Sequence, residues 1–453
     1  MPSAIIYEPD YDISRFGDAQ DKFIALPDLH QHVGDIAKRF YAPSDRPQFA
    51  APLIGVTGTN GKTSITQFIT QLDNYACIGT MGYGDSRHLH ELSHTTPDAL
   101  LLQKILAELS RDYRGVAMEV SSHALCLNRV DAVDIGVAVF SNLSQDHLDF
   151  HTDMEDYFQA KAKLFEKASV TVAIINTDDD YGLRLAEQCR AAGKRVITYG
   201  QQARCRDFAE WVHIGNLQLS QRGIASELQL GLKSAQGEHT LLAPVWGAFN
   251  AYNLLAALLA LYAGGGDFVE LLAQAQRLKG VKGRMESIDL GNGKTAIIDY
   301  AHTPDALKNT LQSLREQMRE HADSHGINAG KIYTVFGCGG DRDRKKRPLM
   351  AEAVNRYSDF GIITDDNPRT EDRQGIFDDI FAGDIERMRF QVIPSRREAI
   401  AFGLSRLSTN DSLLIAGKGH EDYQIIGTEK THFSDHEVVH DWLAEQTSEA
   451  GHD

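Results

Sequence analysis

The chain has 453 residues, 42% hydrophobic and 24% charged, the make-up of a globular protein with length for about two to four domains. Sixty-three Asp and Glu against 46 Lys and Arg leave a formal charge of −17, which excludes nucleic acid or an anionic membrane surface as the main partner. Five cysteines without a CxxC pair exclude a disulfide framework and a cysteine zinc site.

The opening MPSAIIYEPDYDIS has no basic stretch followed by an apolar one, and the longest apolar run, Leu254–Ala263, is too short to cross a bilayer. The expectation is a cytoplasmic protein without membrane insertion. Residues 1–49 form a short N-terminal segment that leaves through a linker-like YAPSDRPQFAAP. Over 50–283, apolar runs (LIGV, GVAMEV, DIGVAVF, VTVAII, KRVITYG) alternate with helical patterns, as in a mostly parallel sheet covered on both faces. Between about 205 and 243 the period changes to alternation, predicting a small antiparallel excursion. A long apolar helix, Phe249–Ala263, then stops at Gly264-Gly265-Gly266. Residues 284–453 repeat the pattern with TAIIDY, KIYTVFG, DFGIIT, FQVIP and SLLIAG, predicting a second, Rossmann-like α/β unit hinged near residue 283.

The densest chemistry lies in LIGVTGTNGKTSITQFIT (53–70): an apolar strand, a Gly-rich turn ending in Gly61-Lys62-Thr63, then an amphipathic helix. A strand that delivers backbone N–H groups and a helix N-terminus to one point suits a triphosphate. Lys62 can reach the β/γ-phosphates and the Thr63 hydroxyl can ligand Mg²⁺. Val56 stands where the first glycine of a strict Walker A loop belongs. The plainer alternative is a Gly-rich strand–helix turn.

Four other regions end predicted strands. Glu119 closes GVAMEV and fits a Mg²⁺ partner or an ordinary exposed carboxylate. The loop SNLSQDHLDFH gathers Asp146, His147, Asp149 and His151, either a metal site or a hydrogen-bonded turn. Lys161 and Lys163, in YFQAKAKLFEK, read by default as a solvated lysine face. In the second unit, DYAHTPDAL places His302 at a strand end, followed by GCGGDRDRKKRP, DDNPRTED and GKGHEDY. An Arg fork for a carboxylate beside acids for an ammonium suggests a zwitterion such as an amino acid, although each loop alone could be a capped turn with solvated charges.

With TGTNGKT, MEVSSHAL, NLSQDHLDFH, FNAYN, KGRME, DYAHTPDAL, GCGGDRDRKKRP, DDNPRTED and GKGHE in this order, residues 50–440 resemble the Mur ligases, and among them those that add the third residue of the peptidoglycan peptide. The resemblance implies an ATP-dependent ligase that joins meso-2,6-diaminopimelate to UDP-N-acetylmuramoyl-L-alanyl-D-glutamate through an acyl phosphate, acting as a monomer with Mg²⁺. It implies that Gly58, Thr59, Asn60, Gly61, Lys62, Thr63, Asn250, Arg284 and His302 meet ATP. Thr63, Glu119, His147 and Lys161 would surround Mg²⁺, with Lys62, Glu119, His147 and Lys161 as the catalytic set and Lys161 carbamoylated to N6-carboxylysine. Thr95, Thr96, Ser121 and Arg129 would touch the UDP-linked substrate. Arg342, Asp366, Asn367, Pro368, Arg369, Gly417 and Glu421 would bind diaminopimelate, Arg369 taking its distal carboxylate. The sequence departs from the family in its reduced N-terminal uridine-binding segment, in Leu127 where Gln is usual and in His94 where Asn is common. The rival readings are a folylpolyglutamate-synthetase-like ligase acting on another carboxylate and a non-catalytic nucleotide-binding relative.

Overall fold

A computed structural model describes residues 4–16, 22–42, 48–86, 88–148, 150–220 and 223–449. The N-terminal segment contributes two short parallel strands, Ile5–Tyr7 and Phe23–Ala25, and the helix Leu29–Tyr41. That helix lies against the helix Ala99–Leu109 through its buried Gly34 and Ala37. At Gly34 a Cβ would fall 2.9 Å from the methyl of Ala132, outside that second helix, so glycine lets the first helix lie close there as well.

Residues 53–243 build one sheet of eleven strands. Its centre is Leu53–Thr57, paired in parallel with Gly115–Glu119 on one side and Ile135–Phe140 on the other. Every residue of Leu53–Thr57 and Gly115–Glu119 is buried, as parallel strands must be when helices cover both faces. One face packs Ile65, Phe68 and Ile69 of the helix Lys62–Leu72 against the helix Ala248–Ala263. The other packs Leu102, Ile105 and Leu106 with Phe158, Leu164 and Phe165. Ala248–Ala263 is buried from Leu254 to Tyr262, hence its apolar surround, and it ends where Gly265 takes φ +100°.

The alternating segment does form antiparallel strands, Glu210–Ser220, Gly223–Gly231 and Gln236–Ala243. They are not a separate excursion. Glu210–Ser220 pairs in parallel with Arg195–Gly200 and so extends the main sheet. A part-buried fork lies at the junction: Arg195 Nε and Nη2 donate to the two carboxylate oxygens of the buried Glu210 at 2.7 and 2.9 Å.

Residues 286–416 form a six-stranded sheet, parallel except for the edge strand Glu286–Gly291. Helices Pro304–His325 and Lys346–Tyr357 cover one face, and Arg396–Ser405 with Asp435–Glu449 cover the other. A further hairpin, Tyr423–Ile426 with Glu429–His432, lies outside the sheet. In both sheets the motif-bearing loops leave the carboxyl ends of strands, where ligands of open α/β sheets collect. Among the described residues no helix is long and apolar enough to cross a membrane.

The fully buried Leu255 belongs to the apolar cluster between this helix and the sheet. Leu255→Ala is expected to cost about 2–5 kcal/mol of stability, read as a lowered unfolding midpoint in denaturant.

Candidate functional site

The loop between Thr57 and Lys62 is shaped by two glycines. Gly58 has φ +146°, and a Cβ there would sit 2.0 Å from Ser141 Oγ; Gly61 has φ +89°, and a Cβ there would sit 2.2 Å from Asn253 Oδ1. The loop is held from outside: Ser141 Oγ donates to the Asn60 carbonyl at 2.6 Å, and the Asn60 N–H donates to Asn142 Oδ1 at 2.9 Å. Lys62 follows as the first helical residue, its ammonium donating to the Gly58 and Thr59 carbonyls at 2.9 and 2.8 Å. Burial pushes the Lys62 pKa down.

Glu119 is not an exposed carboxylate. It is 1% exposed, and its Oε1 accepts from Thr63 Oγ1 at 2.9 Å and from the Thr80 N–H at 2.8 Å. Gly79 leaves room for it, since a Cβ there would lie 2.2 Å from Glu119 Oε1. Thr63 Oγ1 also accepts from Arg284 Nη2 at 3.1 Å, and the Arg284 guanidinium lies 4.2 Å from the Tyr300 ring centre.

The solvated-face reading of Lys161 is overturned. Lys161 is 1% exposed while Lys163 is exposed, because Lys161 shares the inward stripe of its helix with Tyr157, Phe158, Leu164 and Phe165. Its ammonium donates to the same Gly58 carbonyl at 2.9 Å. Burial, then the neighbouring Lys62, pushes its pKa well below the usual lysine value. The His/Asp loop divides. His151 is buried and bonded to Ser122 Oγ at 2.8 Å, a structural turn, whereas His147 faces the cleft with φ +56°. Burial, reinforced by Lys62, Lys161 and His123, outweighs Asp146 and holds the His147 imidazole at about 4, so it is neutral at physiological pH. Asp149 lies outside the described residues.

These groups line one cavity of about 480 Å³ between the two sheets. From the first unit come Thr59–Ser64, Thr80, Thr95, Glu119, Ser121, Asp146, His147 and Lys161. From the second come Arg284, Asp299, Tyr300, His302 and Asp305. Asn60 Nδ2 donates across the cleft to Asp305 Oδ2 at 3.3 Å, and His302 is held by the Tyr300 carbonyl at 2.8 Å from its Nδ1. Thr96 and Arg129 stand behind this wall: Thr96 Oγ1 donates to the Glu119 carbonyl, and Arg129 Nη1 donates to the Thr96 carbonyl at 3.1 Å. Asn250 is also set back, its Oδ1 accepting from Asn253 Nδ2, and Asn253 is the residue at the wall. The sequence reading missed Asn253, Thr80 and Asp305; an Asn three residues after Asn250 in an otherwise apolar helix was the available signal.

The amino-acid-like loops form a second cluster beside this cavity. Asn367 Oδ1 accepts from Lys418 Nζ at 3.1 Å and from the Ile425 N–H at 2.9 Å, while its Nδ2 donates to Glu421 Oε2 at 3.3 Å. Arg369, at φ +51°, donates from Nη1 to the Gly340 carbonyl at 2.8 Å. Arg342 is exposed nearby, its Cγ 3.5 Å from where a Gly339 Cβ would be. Pro368 packs its carbonyl where a Gly340 Cβ would go. Beneath them the fully buried Arg347 ties the two loops together, donating to Glu371, Asp379 and the Gly339 carbonyl. Gly417, at φ +115°, donates its N–H to the Asp299 carbonyl at 3.0 Å and so joins this cluster to the cavity. Sequence reading passed over Lys418 and Arg347, whose burial only the fold reveals.

Comparison with known proteins agrees with this architecture. The profile "Mur ligase middle domain" matches residues 56–261, and "Mur ligase, glutamate ligase domain" matches residues 283–419. A protein from Haemophilus influenzae (strain PittGG), named UDP-N-acetylmuramoyl-L-alanyl-D-glutamate--2,6-diaminopimelate ligase, is 40% identical over 92% of this chain and 82% of its own. Its namesake from Pseudomonas putida is 42% identical over 91% and 81%. A solved structure with the same name superposes with a TM-score of 0.66 at 36% identity, over 98% of this chain and 87% of that one. Mycobacterium tuberculosis folylpolyglutamate synthase, at 17% identity and a TM-score of 0.65, shares the fold. This chain belongs to the Mur ligase family.

Proposed function

We propose that this chain is an ATP-dependent amide ligase that joins meso-2,6-diaminopimelate to the terminal carboxylate of UDP-N-acetylmuramoyl-L-alanyl-D-glutamate, a step of peptidoglycan synthesis in the cytoplasm. The observation that carries the reading is the single cleft in which a triphosphate loop, a buried carboxylate and two lysines from one sheet face Arg284 and His302, with the Asn367–Glu421 cluster joined to it through Gly417. The naming of relatives at 40–42% identity over nine-tenths of the chain supports the choice of substrates.

On this reading, the substrate carboxylate attacks the γ-phosphorus of ATP, the bond to the β-phosphate oxygen breaks, and ADP leaves an acyl phosphate. The diaminopimelate amine then adds to the acyl carbon and orthophosphate departs. The protein's part is to hold two anions and an amine in line and to exclude water. Lys62 leaves the two carbonyls it now contacts and meets the phosphates; the Thr59–Thr63 N–H groups take the rest of the charge. The oxygen donors Thr63 Oγ1 and Glu119, 2.9 Å apart, with a neutral His147 alongside, fit a hard divalent cation. Mg²⁺ held there would neutralise charge on the transferred phosphoryl group. Lys161, desolvated and therefore disposed to be a neutral amine, can add CO₂ with loss of a proton and become a carbamate, which reverses its sign toward the cation. Asn367 and Glu421 receive the α-amino acid end, and Arg369 pairs with the distal carboxylate.

Purified protein given ATP, Mg²⁺, the UDP-linked dipeptide and meso-diaminopimelate should release one orthophosphate per tripeptide, separated by chromatography. Product with folate substrates and none with the dipeptide would sink the reading. Lys62→Ala is expected to lower kcat/KM by about 10³-fold with little change in unfolding temperature. Arg369→Ala should shrink the preference for diaminopimelate over L-lysine by roughly 10²-fold, measured as a ratio of kcat/KM values.

Lys161 carries an opposite prediction for stability. Its folded-state pKa lies below the unfolded-state value, so holding this amine in the core costs stability at every pH below the ordinary lysine range; the cost is greatest below the folded-state value, shrinks as pH rises through it and is gone above the ordinary lysine value. Lys161→Met should therefore raise the Tm of the ligand-free protein by about 2–4 °C while abolishing turnover. In the wild type, ¹³C-bicarbonate should label a carbamate carbon in the NMR spectrum that Lys161→Met removes.

A further inference from the structure

Lys418 is fully buried, one residue beyond the Gly417 turn, and none of the roles above uses it. Its ammonium donates to Asn367 Oδ1 at 3.1 Å and to the Tyr423 carbonyl at 2.7 Å, and stands 3.4 Å from Asp366 Oδ1 and 3.7 Å from Glu421 Oε2. An ion with no access to water is retained only where its charge is matched, and here two carboxylates face it. Asp366 Oδ1 is buried without a hydrogen bond, so the ion pair with Lys418 is what offsets its charge.

We infer that Lys418 is a positioning residue for the amino-acid nucleophile: its ammonium orients Asn367 and leaves the Asp366–Glu421 pair one net negative charge, the complement of a single incoming ammonium group. The inference rests on the assignment of Asn367 and Glu421 to the amino-acid substrate. Two features bear it out independently of that assignment. The donors Lys418 Nζ and Ile425 N–H both converge on Asn367 Oδ1, which fixes the amide so that its Nδ2 must turn to Glu421. The neighbouring cation, Arg396, gives its carboxylate hydrogen bonds to Asp435, two of 2.8 Å, and reaches Asp366 and Glu421 only through its field, which leaves Lys418 as the cation in contact with them. Burial and Asp366 both push the Glu421 carboxyl toward its neutral form, and Lys418 opposes them. Without Lys418 the cluster would hold two like charges in a dry site, and Glu421 would take up a proton and lose its grip on an amine.

The test is a kinetic split in the full-length enzyme. Lys418→Met should raise KM for meso-diaminopimelate at least tenfold, while KM for ATP and for the UDP-linked dipeptide stay within twofold and kcat at saturation falls less than threefold. Lys418→Arg, which keeps the charge, should recover at least half of the loss on a logarithmic scale. Equal rises in all three KM values, or an Arg variant as poor as the Met variant with normal ATP kinetics, would overturn the inference. So would failure of both variants to fold, which would make Lys418 a stability residue. Glu421→Gln separates the two levels: if it leaves KM for diaminopimelate unchanged, the site assignment itself is wrong, whereas a raised KM there with an unaffected Lys418→Met refutes the role of Lys418 alone.

Discussion

The arrangement depends on one meeting point, the Thr63 hydroxyl, which donates to Glu119 at 2.9 Å and accepts from Arg284 at 3.1 Å. Thr63 belongs to the helix that starts at the phosphate loop, Glu119 to the adjacent strand and Arg284 to the segment that opens the second unit. A single side chain therefore reports the state of three elements to one another. Because Thr63 and Glu119 are buried, the geometry of their bond is worth more than the same contact on a surface, and a shift of either unit is felt at this hydroxyl.

The cleft is built against stability. Two lysine ammonium groups point at the same Gly58 carbonyl, with burial driving down the pKa of both. Hydrophobic side chains of similar volume would pack there at less cost. The like charges set up an electrostatic demand that Glu119 and Asp146 meet in part and that an entering anion, or a change in one lysine's own charge, would relieve further. In a chain whose overall charge is −17, the two buried lysines place positive charge beside the loop proposed to take a triphosphate, although carboxylates such as Glu119 and Asp146 share the cleft wall. In the second unit, the buried Arg347 and Arg396 are each paired with carboxylates.

The sequence revealed the strands and the loops at their ends because period and punctuation are local. Leu53–Thr57 followed by Gly58–Thr63 is legible from residue types alone, and so is the apolar helix that stops at Gly264. Less legible was anything set by pairing between distant strands. The antiparallel excursion after residue 205 is legible as alternation, but its attachment to the main sheet is not: its first strand pairs in parallel with Arg195–Gly200, where Arg195 meets Glu210. In the site, residue types alone read Lys161 as solvated, and only the resemblance reversed that, although the stripe Tyr157, Phe158, Leu164 and Phe165 brackets it at helical spacing. Lys418 was overlooked for the opposite reason: its neighbours in sequence are glycines and acids, and the residues that surround it arrive from a different strand end.

Gly283 and Gly419 come together where the two units meet: a Cβ on Gly283 would fall 2.3 Å from the Gly419 carbonyl carbon, and one on Gly419 would fall 2.7 Å from the Gly283 carbonyl oxygen. Neither position can accept a methyl group while the other backbone stays where it is. The two sites, remote in the chain, therefore behave as one heritable character. Drift at either is closed off until a compensating displacement has opened the joint, and lineages that vary freely in the surrounding loops are expected to keep this bare crossing intact.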